Sequence, residues 1–278
     1  MGTSSIFNGP KDSSSNLLPF DYQPNSDADD SSFPDNVPAS ISETDTAVPS
    51  SDFHTWKNVK GEISRLASNY NSLDYKSKQE KIRKVASHHI KASGGSAKIT
   101  QGALSGIATG GSLFGFFSNI ATKGYAETFS SLNISTQGKT AKEVFSQLVN
   151  AISKASNTKE DIISREATTA ALSELYDYLD RNDMDFEALN EMPLELINLC
   201  EITYITEWIW GKLFNDLGSR VDNKACDDET AASIEQDFKE YIRSTVEIQF
   251  NKIGSRSNPR DFAASLFTQC YEAMEFYV

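Results

Sequence analysis

The chain has 278 residues, and its 39 acidic against 26 basic residues give a formal net charge of −13 at pH 7. This balance disfavours a general nucleic-acid binder, which needs an excess of cations to meet phosphate groups. No apolar run reaches the roughly 20 residues that cross a bilayer, and the opening residues lack a secretory signal pattern, so we expect no stable membrane insertion.

The first 52 residues are predicted to form a disordered tail. They are rich in Ser, Asp, Asn and Pro, and they contain nine acids against a single cation, Lys11. Such a segment cannot bury enough apolar surface to offset the conformational entropy that folding removes. Residues 53–278 are predicted to form one all-helical domain that carries this tail.

Residues 53–125 are predicted to hold basic and glycine-rich helices. Between positions 53 and 91 there are nine cations and three acids, in helices predicted over residues 53–70 and 75–90. Glycine then recurs every four or five residues, which lets backbones approach closely. This pattern predicts two tightly packed helices that meet near Gly110-Gly111. A glycine-rich phosphate cradle is the alternative, but the chain has no GxGxxG motif.

Residues 139–278 are predicted to form a helical bundle. Thr140 and Glu143 have the spacing of a capping box at the start of a helix. Further helices are predicted over residues 159–180, 193–217 and 230–253, and from position 258 onward. The helix over 193–217 is apolar on most sides, which predicts the buried centre of the bundle. No strand pattern is found, so the predicted fold class is all-α.

No catalytic, metal-binding or cofactor-binding residue is predicted. Gly138-Lys139-Thr140 resembles part of a phosphate-binding loop, but Asn133 replaces the first glycine that such a loop requires. His88 and His89 are adjacent and point about 100° apart on a helix, so the pair cannot share a metal ion.

Acids and thiols in the helical half also favour structural roles. Glu201 and Glu207 are six residues apart on one helix, on different faces, and Asp216 follows on or near the same helix. The widely spaced Cys200, Cys226 and Cys270 form no zinc motif. Cys200 and Cys270 lie in apolar helical patterns, which predicts buried free thiols and a reducing, cytoplasmic compartment.

Several short segments occur along the chain in the same order as in a known protein family. They are the Met1-Gly2-Thr3-Ser4-Ser5 start, Gly9-Pro10, Leu17-Leu18-Pro19, a basic segment with Trp56 and Arg65, a helix ending at Gly94-Gly95, a small-residue helix pair, Leu132, and Phe214-Asn215-Asp216-Leu217-Gly218. In this order the chain resembles the QatB component of the four-gene Qat anti-phage defence systems. The Asp-rich middle of the tail departs from the Gly/Pro-rich tails of that family.

The resemblance implies a non-enzymatic protein that works with an ATPase, a TatD-like nuclease and a QueC-like enzyme. It implies that the QueC-like partner, using ATP and a 7-deazaguanine precursor, attaches a deazaguanine to Gly2. Thr3, Ser4 and Ser5 would then be the tail residues that this partner binds. Gly2 suits the chemistry, because an α-amine with a pKa near 7.7–8.0 is partly nucleophilic at neutral pH.

Two alternatives remain open from the sequence. The chain can be an unmodified adaptor that binds partner proteins through its basic and helical segments. It can also bind nucleic acid or a membrane surface through the basic stretch from Lys76 to Lys91.

Overall fold

The computed structural model describes residues 56–153, 158–182, 185–253 and 258–276. These residues form ten α-helices and two short 3₁₀ helices, with no strand among them. The predicted all-α class is therefore confirmed. The predicted tail over residues 1–52 lies outside the described residues.

The helices follow the predicted order, with short connections. Their bounds are α1 (Trp56–Asn69), α2 (Tyr75–Ala92), α3 (Ser96–Gly102), α4 (Leu104–Lys123), α5 (Tyr125–Ser131), α6 (Ala141–Ile152), α7 (Lys159–Arg181), α8 (Leu194–Lys224), α9 (Asp228–Lys252) and α10 (Pro259–Glu275). The 3₁₀ helices are Tyr70–Ser72 and Phe186–Glu191.

Side-chain caps fix where five of the α-helices begin. In each case the residue before the first helical residue accepts a hydrogen bond from a backbone N–H of the first turn, which would otherwise lack a partner. These caps are Asp74, Thr140, Thr158, Asp227 and Asn258.

Helix α8 occupies the centre of the bundle, as its apolar sequence predicted. It packs against α1, α4, α7 and α9. Tyr204 and Trp208 on α8 have no exposed surface at all. The helix runs on to Lys224, seven residues beyond the predicted end at Leu217.

The glycine-rich stretch differs from the prediction. A single helix, α4, runs straight through Gly110-Gly111, and the junction with the preceding helix lies at Ala103. The reason is tertiary: the glycines on this helix face large side chains of α8 and the backbone of α10. A Cβ built on Gly106 would lie 2.5 Å from the Trp208 ring, and one on Gly111 would lie 2.9 Å from the Arg260 Cα. The close packing offsets the low helix propensity of glycine.

Two elements and one side chain also differ from the prediction. Helix α5 and the second 3₁₀ helix were not predicted; both are held by aromatic contacts of Phe129 and Phe186, whose ring centroids are 6.0 Å apart. Ile248 was expected in the apolar face of α9 and is instead exposed. Leu113, Phe114, Phe116 and Phe117 of α4 are buried as predicted.

Candidate functional site

The predicted site residues Gly2, Thr3, Ser4 and Ser5 lie outside the described residues. The described chain begins at Trp56, the first residue of α1. The surroundings of Trp56 are therefore the closest described structure, along the chain, to the predicted modification site.

Trp56 lies at a junction of three helices. Its ring meets the His89 ring of α2 edge-on, with centroids 5.3 Å apart and planes at 82°. His89 Nε2 in turn lies 3.0 Å from Asp216 Oδ2 of α8. A hydrogen-bonded pair thus ties the start of α1 and the end of α2 to the central helix.

Burial and hydrogen bonding act in opposite directions on Asp216. Its partial burial raises the pKa, but the hydrogen bond with His89 and the positive charges of Lys212 and His89 outweigh that effect. The pKa of Asp216 therefore lies below its ordinary value, so the carboxylate is ionised at neutral pH.

The adjacent histidines have separate partners. His88 Nδ1 lies 2.6 Å from Glu62 Oε2 of α1, whereas His89 turns inward toward Asp216 and is only 2 % exposed. The sequence predicted that the two imidazoles diverge, and it predicted at most one partly packed ring. His89 is more deeply buried than that prediction, because α1 and α8 both cover it.

The segment Phe214-Asn215-Asp216-Leu217-Gly218 lies in the second half of α8. A Cβ on Gly218 would come within 2.7 Å of the Phe214 ring, so glycine leaves the space that this ring occupies. Leu217 is buried in the core. In this segment, the Phe214 ring packs beside Gly218, and Asp216 contacts His89 of α2.

The Phe214 ring lines an open groove of about 530 Å³ between α7 and α8. The centroid of the Phe214 ring is 5.0 Å from that of the Trp210 ring. Ile162 of α7 forms part of the opposite wall of the groove. At the rim, Lys239 Nζ of α9 donates a 2.9 Å hydrogen bond to Glu207 Oε2. The groove thus has an aromatic and aliphatic wall with charged groups around it, and one of its two acids, Glu207, is paired with Lys239.

The three acids on α8 do not converge. Glu207 binds Lys239, Asp216 binds His89, and Glu201 is 5 % exposed beside the α4 and α10 rings that line a smaller pocket. The predicted structural roles agree with these contacts for Glu207 and Asp216. The three carboxylates of α8 therefore lie in separate surroundings and do not form a paired-acid site with one another.

The loop before α6 is a helix start. Thr140 Oγ1 accepts a hydrogen bond from the Glu143 N–H at 3.3 Å, and Glu143 accepts one from the Thr140 N–H at 2.8 Å. Lys139 donates to Gln147 of the same helix. The predicted capping box is confirmed, and Lys139 already has a partner within the helix.

The three cysteines are free thiols. Cys200 and Cys270 are buried and free as predicted, and burial raises the pKa of Cys200 to about 12, assisted by the charges of Glu174 and Glu201. Within the described ranges, no group of three or more His, Cys, Asp or Glu side chains is placed to hold a metal ion. None of the described helices combines the length and apolar character needed to cross a membrane.

Comparison with known proteins identifies a family for this chain. A family model described as "Qat anti-phage system associated protein QatB" matches residues 94–274. This range begins just after α2 and covers most of the described bundle. No curated protein and no solved structure matches the chain.

Proposed function

Because the chain belongs to the QatB family and is therefore a component of a Qat anti-phage defence system, we propose that it serves there as a non-enzymatic subunit. In this proposal it presents its amino-terminal glycine to a QueC-like partner enzyme, which attaches a 7-deazaguanine to it. The family match over residues 94–274 is the observation that carries the proposal.

The proposed reaction is an acyl transfer to the α-amine of Gly2, after removal of Met1. The partner enzyme uses ATP to activate the carboxyl group of a 7-deazaguanine acid. The amine attacks the activated carbonyl carbon, an amide bond forms, the phosphate leaving group departs, and the amine gives up a proton. An α-amine with a pKa near 7.7–8.0 is a better nucleophile at pH 7 than a lysine with a pKa near 10.4.

The contacts of the described residues support a presenting role over a catalytic one. Three pairs of buried or half-buried ionisable groups join helices: Asp216 with His89, Glu62 with His88, and Glu207 with Lys239. The buried thiols are held in the protonated form by burial. In this proposal the chain needs no cofactor of its own, and the ATP belongs to the partner.

The proposed partners are the other proteins of the same system. The QueC-like enzyme, with Thr3, Ser4 and Ser5 beside the glycine in its site, is the first of them. The QatA-like ATPase and the TatD-like nuclease would act with the modified protein. We propose that the assembly works in the cytoplasm, where free thiols stay reduced.

Peptide mass spectrometry tests this proposal. In cells that express the full gene set, we expect the first tryptic peptide to gain the mass of the attached acid less one water. Gly2→Pro replaces the primary amine with a hindered secondary one and should abolish both the mass gain and phage protection. The control Lys11→Arg should abolish neither, because that ammonium is mostly protonated and lies away from the terminus. Full protection with an unmodified Gly2 would contradict the mechanism.

The second candidate function is an unmodified adaptor that binds partner proteins. The exposed cations of α1 and α2 are the observation that favours it. The same mass measurement separates the two functions, because an adaptor would protect cells without any mass gain on its first peptide.

A further inference from the structure

Helices α1 and α2 form a cationic hairpin on an acidic protein. Residues 56–92 hold nine cations and three acids, whereas residues 93–278 hold 16 cations and 27 acids. The hairpin therefore carries +6 and the rest of the helical domain −11. A concentration of one charge sign on one element produces a local field that the net charge of the chain conceals.

Contacts between the two helices place several of these cations on one outer face. Glu62 of α1 meets both His88 and Lys84 of α2, at 2.6 and 3.5 Å. Arg65 lies three residues beyond Glu62, and Lys81 three residues before Lys84, so helical spacing puts both near the same seam. We define the basic face as these three cations together with Lys57, which lies eight residues, just over two helical turns, before Arg65 on α1; all four are exposed.

The positive charge of this face is largely uncompensated. Among the described residues, Lys57, Arg65 and Lys81 form no ion pair. Lys84 is 58 % exposed, and its Glu62 partner is shared with His88. Of the other hairpin acids, Asp74 caps α2, which leaves Glu80 as the exposed acid beside the face.

We propose that the basic face docks an acidic surface of the partner protein that receives the amino-terminal segment. This inference rests on the proposed function. Residues 1–55 connect Gly2 to α1, and at no more than 3.6 Å per residue they span up to about 200 Å. A partner that binds only the terminus would make no contact with the helical domain itself. A second contact at α1, where this segment joins the domain, fixes the distance and raises the local concentration of the terminus.

The charge pattern favours a protein over a nucleic acid as the occupant. Helix α2 has 18 residues, which is about 27 Å of helix. A nucleic-acid duplex carries one negative charge per about 1.7 Å and continues past that length. Beyond the hairpin it would meet the acidic remainder of the domain. An acidic protein surface no larger than the basic face would gain the attraction without that repulsion.

The test compares two full-length variants that change the same amount of charge. The first is Lys57→Glu, Arg65→Glu and Lys81→Glu together, and the control is Lys98→Glu, Lys123→Glu and Lys142→Glu, three exposed lysines on α3, α4 and α6. Binding to the purified QueC-like enzyme is measured by calorimetry. At about 50 mM salt we expect Kd to rise at least tenfold for the hairpin variant and less than twofold for the control. At 0.5 M salt the difference should shrink, because screening weakens charge attraction.

A milder variant guards against misfolding. Replacing the same three hairpin residues with Gln removes charge without reversing it, and it should give an intermediate Kd with an unchanged melting temperature. Equal Kd values for hairpin and control variants would overturn the docking surface.

Carbodiimide cross-linking identifies the occupant. We expect Lys81 to join Asp or Glu residues of the partner enzyme. Cross-links to acids of the chain's own first 52 residues or of a second copy, in place of partner acids, would overturn the proposal. It would also be overturned if the hairpin variant lost binding to duplex DNA while it kept its affinity for the enzyme.

The mass of the first peptide, taken from the same samples, separates the two proposals. A hairpin-dependent complex with an unmodified Gly2 would contradict the proposed modification and leave the docking surface standing. A modified Gly2 with hairpin variants that bind normally would contradict the docking surface alone.

Discussion

Asp216 links the central helix α8 to α2 at the point where α1 begins. It holds the imidazole of His89, and Trp56 packs against the other side of that ring system. The partner of a buried imidazole cannot be removed without leaving a polar nitrogen in a place that water does not reach. The cost of such an unsatisfied group is about 1–3 kcal/mol.

Asp216→Ala should therefore lower the free energy of unfolding by about 1–3 kcal/mol at pH 7. Asp216→Asn keeps a polar group beside His89 and should cost less. Urea titration followed by circular dichroism measures both values. An alanine variant as stable as the original chain would show that the pair contributes nothing to the hairpin's attachment.

The same pair predicts a pH dependence. The folded pKa of Asp216 lies below the ordinary aspartate value of about 3.9. A carboxylate with a lowered folded pKa contributes stability above its unfolded pKa and loses it as the pH falls through the folded value. The stability difference between the original chain and Asp216→Asn should shrink progressively as the pH falls below about 5. A difference that widens toward pH 2.5 would contradict this assignment.

At the scale of helices, the close approach of α4 to α8 depends on glycines, which have no side chain to hold the two helices apart. Trp208 cannot yield easily where it faces Gly106, because its Nε1 donates to Ser164 Oγ at 2.9 Å and its ring packs edge-on to Phe267 at 5.0 Å. The backbone carbonyl of Gly106 also accepts a 2.8 Å hydrogen bond from the Tyr204 hydroxyl. The glycine lies in a contact that is fixed from several sides.

Gly106→Ala should destabilise the protein by about 1–3 kcal/mol through overpacking, less the roughly 1 kcal/mol that alanine gains in helix propensity. Gly106→Leu should be worse. The matched control is Gly102→Ala, where a Cβ would meet no heavy atom within 4 Å. Thermal melting should show a lower Tm at position 106 and an equal or higher Tm at position 102. Equal melting of both alanine variants would refute the close-packing argument.

The start of α6 is also fixed by a single residue, the N-cap Thr140. Thr140→Ala removes the side-chain acceptor of a capping box and should lower the free energy of unfolding by about 0.5–2 kcal/mol, whereas Thr140→Ser should leave it nearly unchanged.

Lys139→Ala should leave phage protection intact, because the Lys139 side chain donates a hydrogen bond to Gln147 of α6. ATP binding that disappears in Lys139→Ala would establish the phosphate-binding loop that the sequence spacing argues against.

The spacing of neighbouring residues predicted most of the helices, but it did not predict contacts between residues that are distant in the sequence. The capping box, the buried centre in α8 and the aromatic core of α4 follow from short-range spacing. The bond between His89 and Asp216 joins residues 127 positions apart, and nothing in a single sequence links them. The junction at Ala103 was misplaced because the glycines of α4 are tolerated for tertiary reasons, which propensity alone does not include. The predicted site at Gly2 stays a prediction, since it lies outside the described residues.

For the whole molecule, the sequence divides into three charge regions. Residues 1–52 carry −8, the hairpin +6 and the remainder −11. The change of sign after residue 52, together with the lack of apolar periodicity before it, predicts a boundary for folding near position 53, just before the first helix.

Limited proteolysis tests that boundary. A broad-specificity protease at low dose should cut first within residues 1–52, because their composition lacks the apolar periodicity that a packed segment requires. The product should begin near Trp56, end in α10 and keep the helical circular dichroism and melting temperature of the full chain. Glu43, the single glutamate in the first 52 residues, gives a glutamate-specific protease one defined early cut there. First cuts between Pro193 and Phe276 would instead mean that α8 to α10 open more readily than the amino-terminal segment, and that the bundle is not the stable core of this protein.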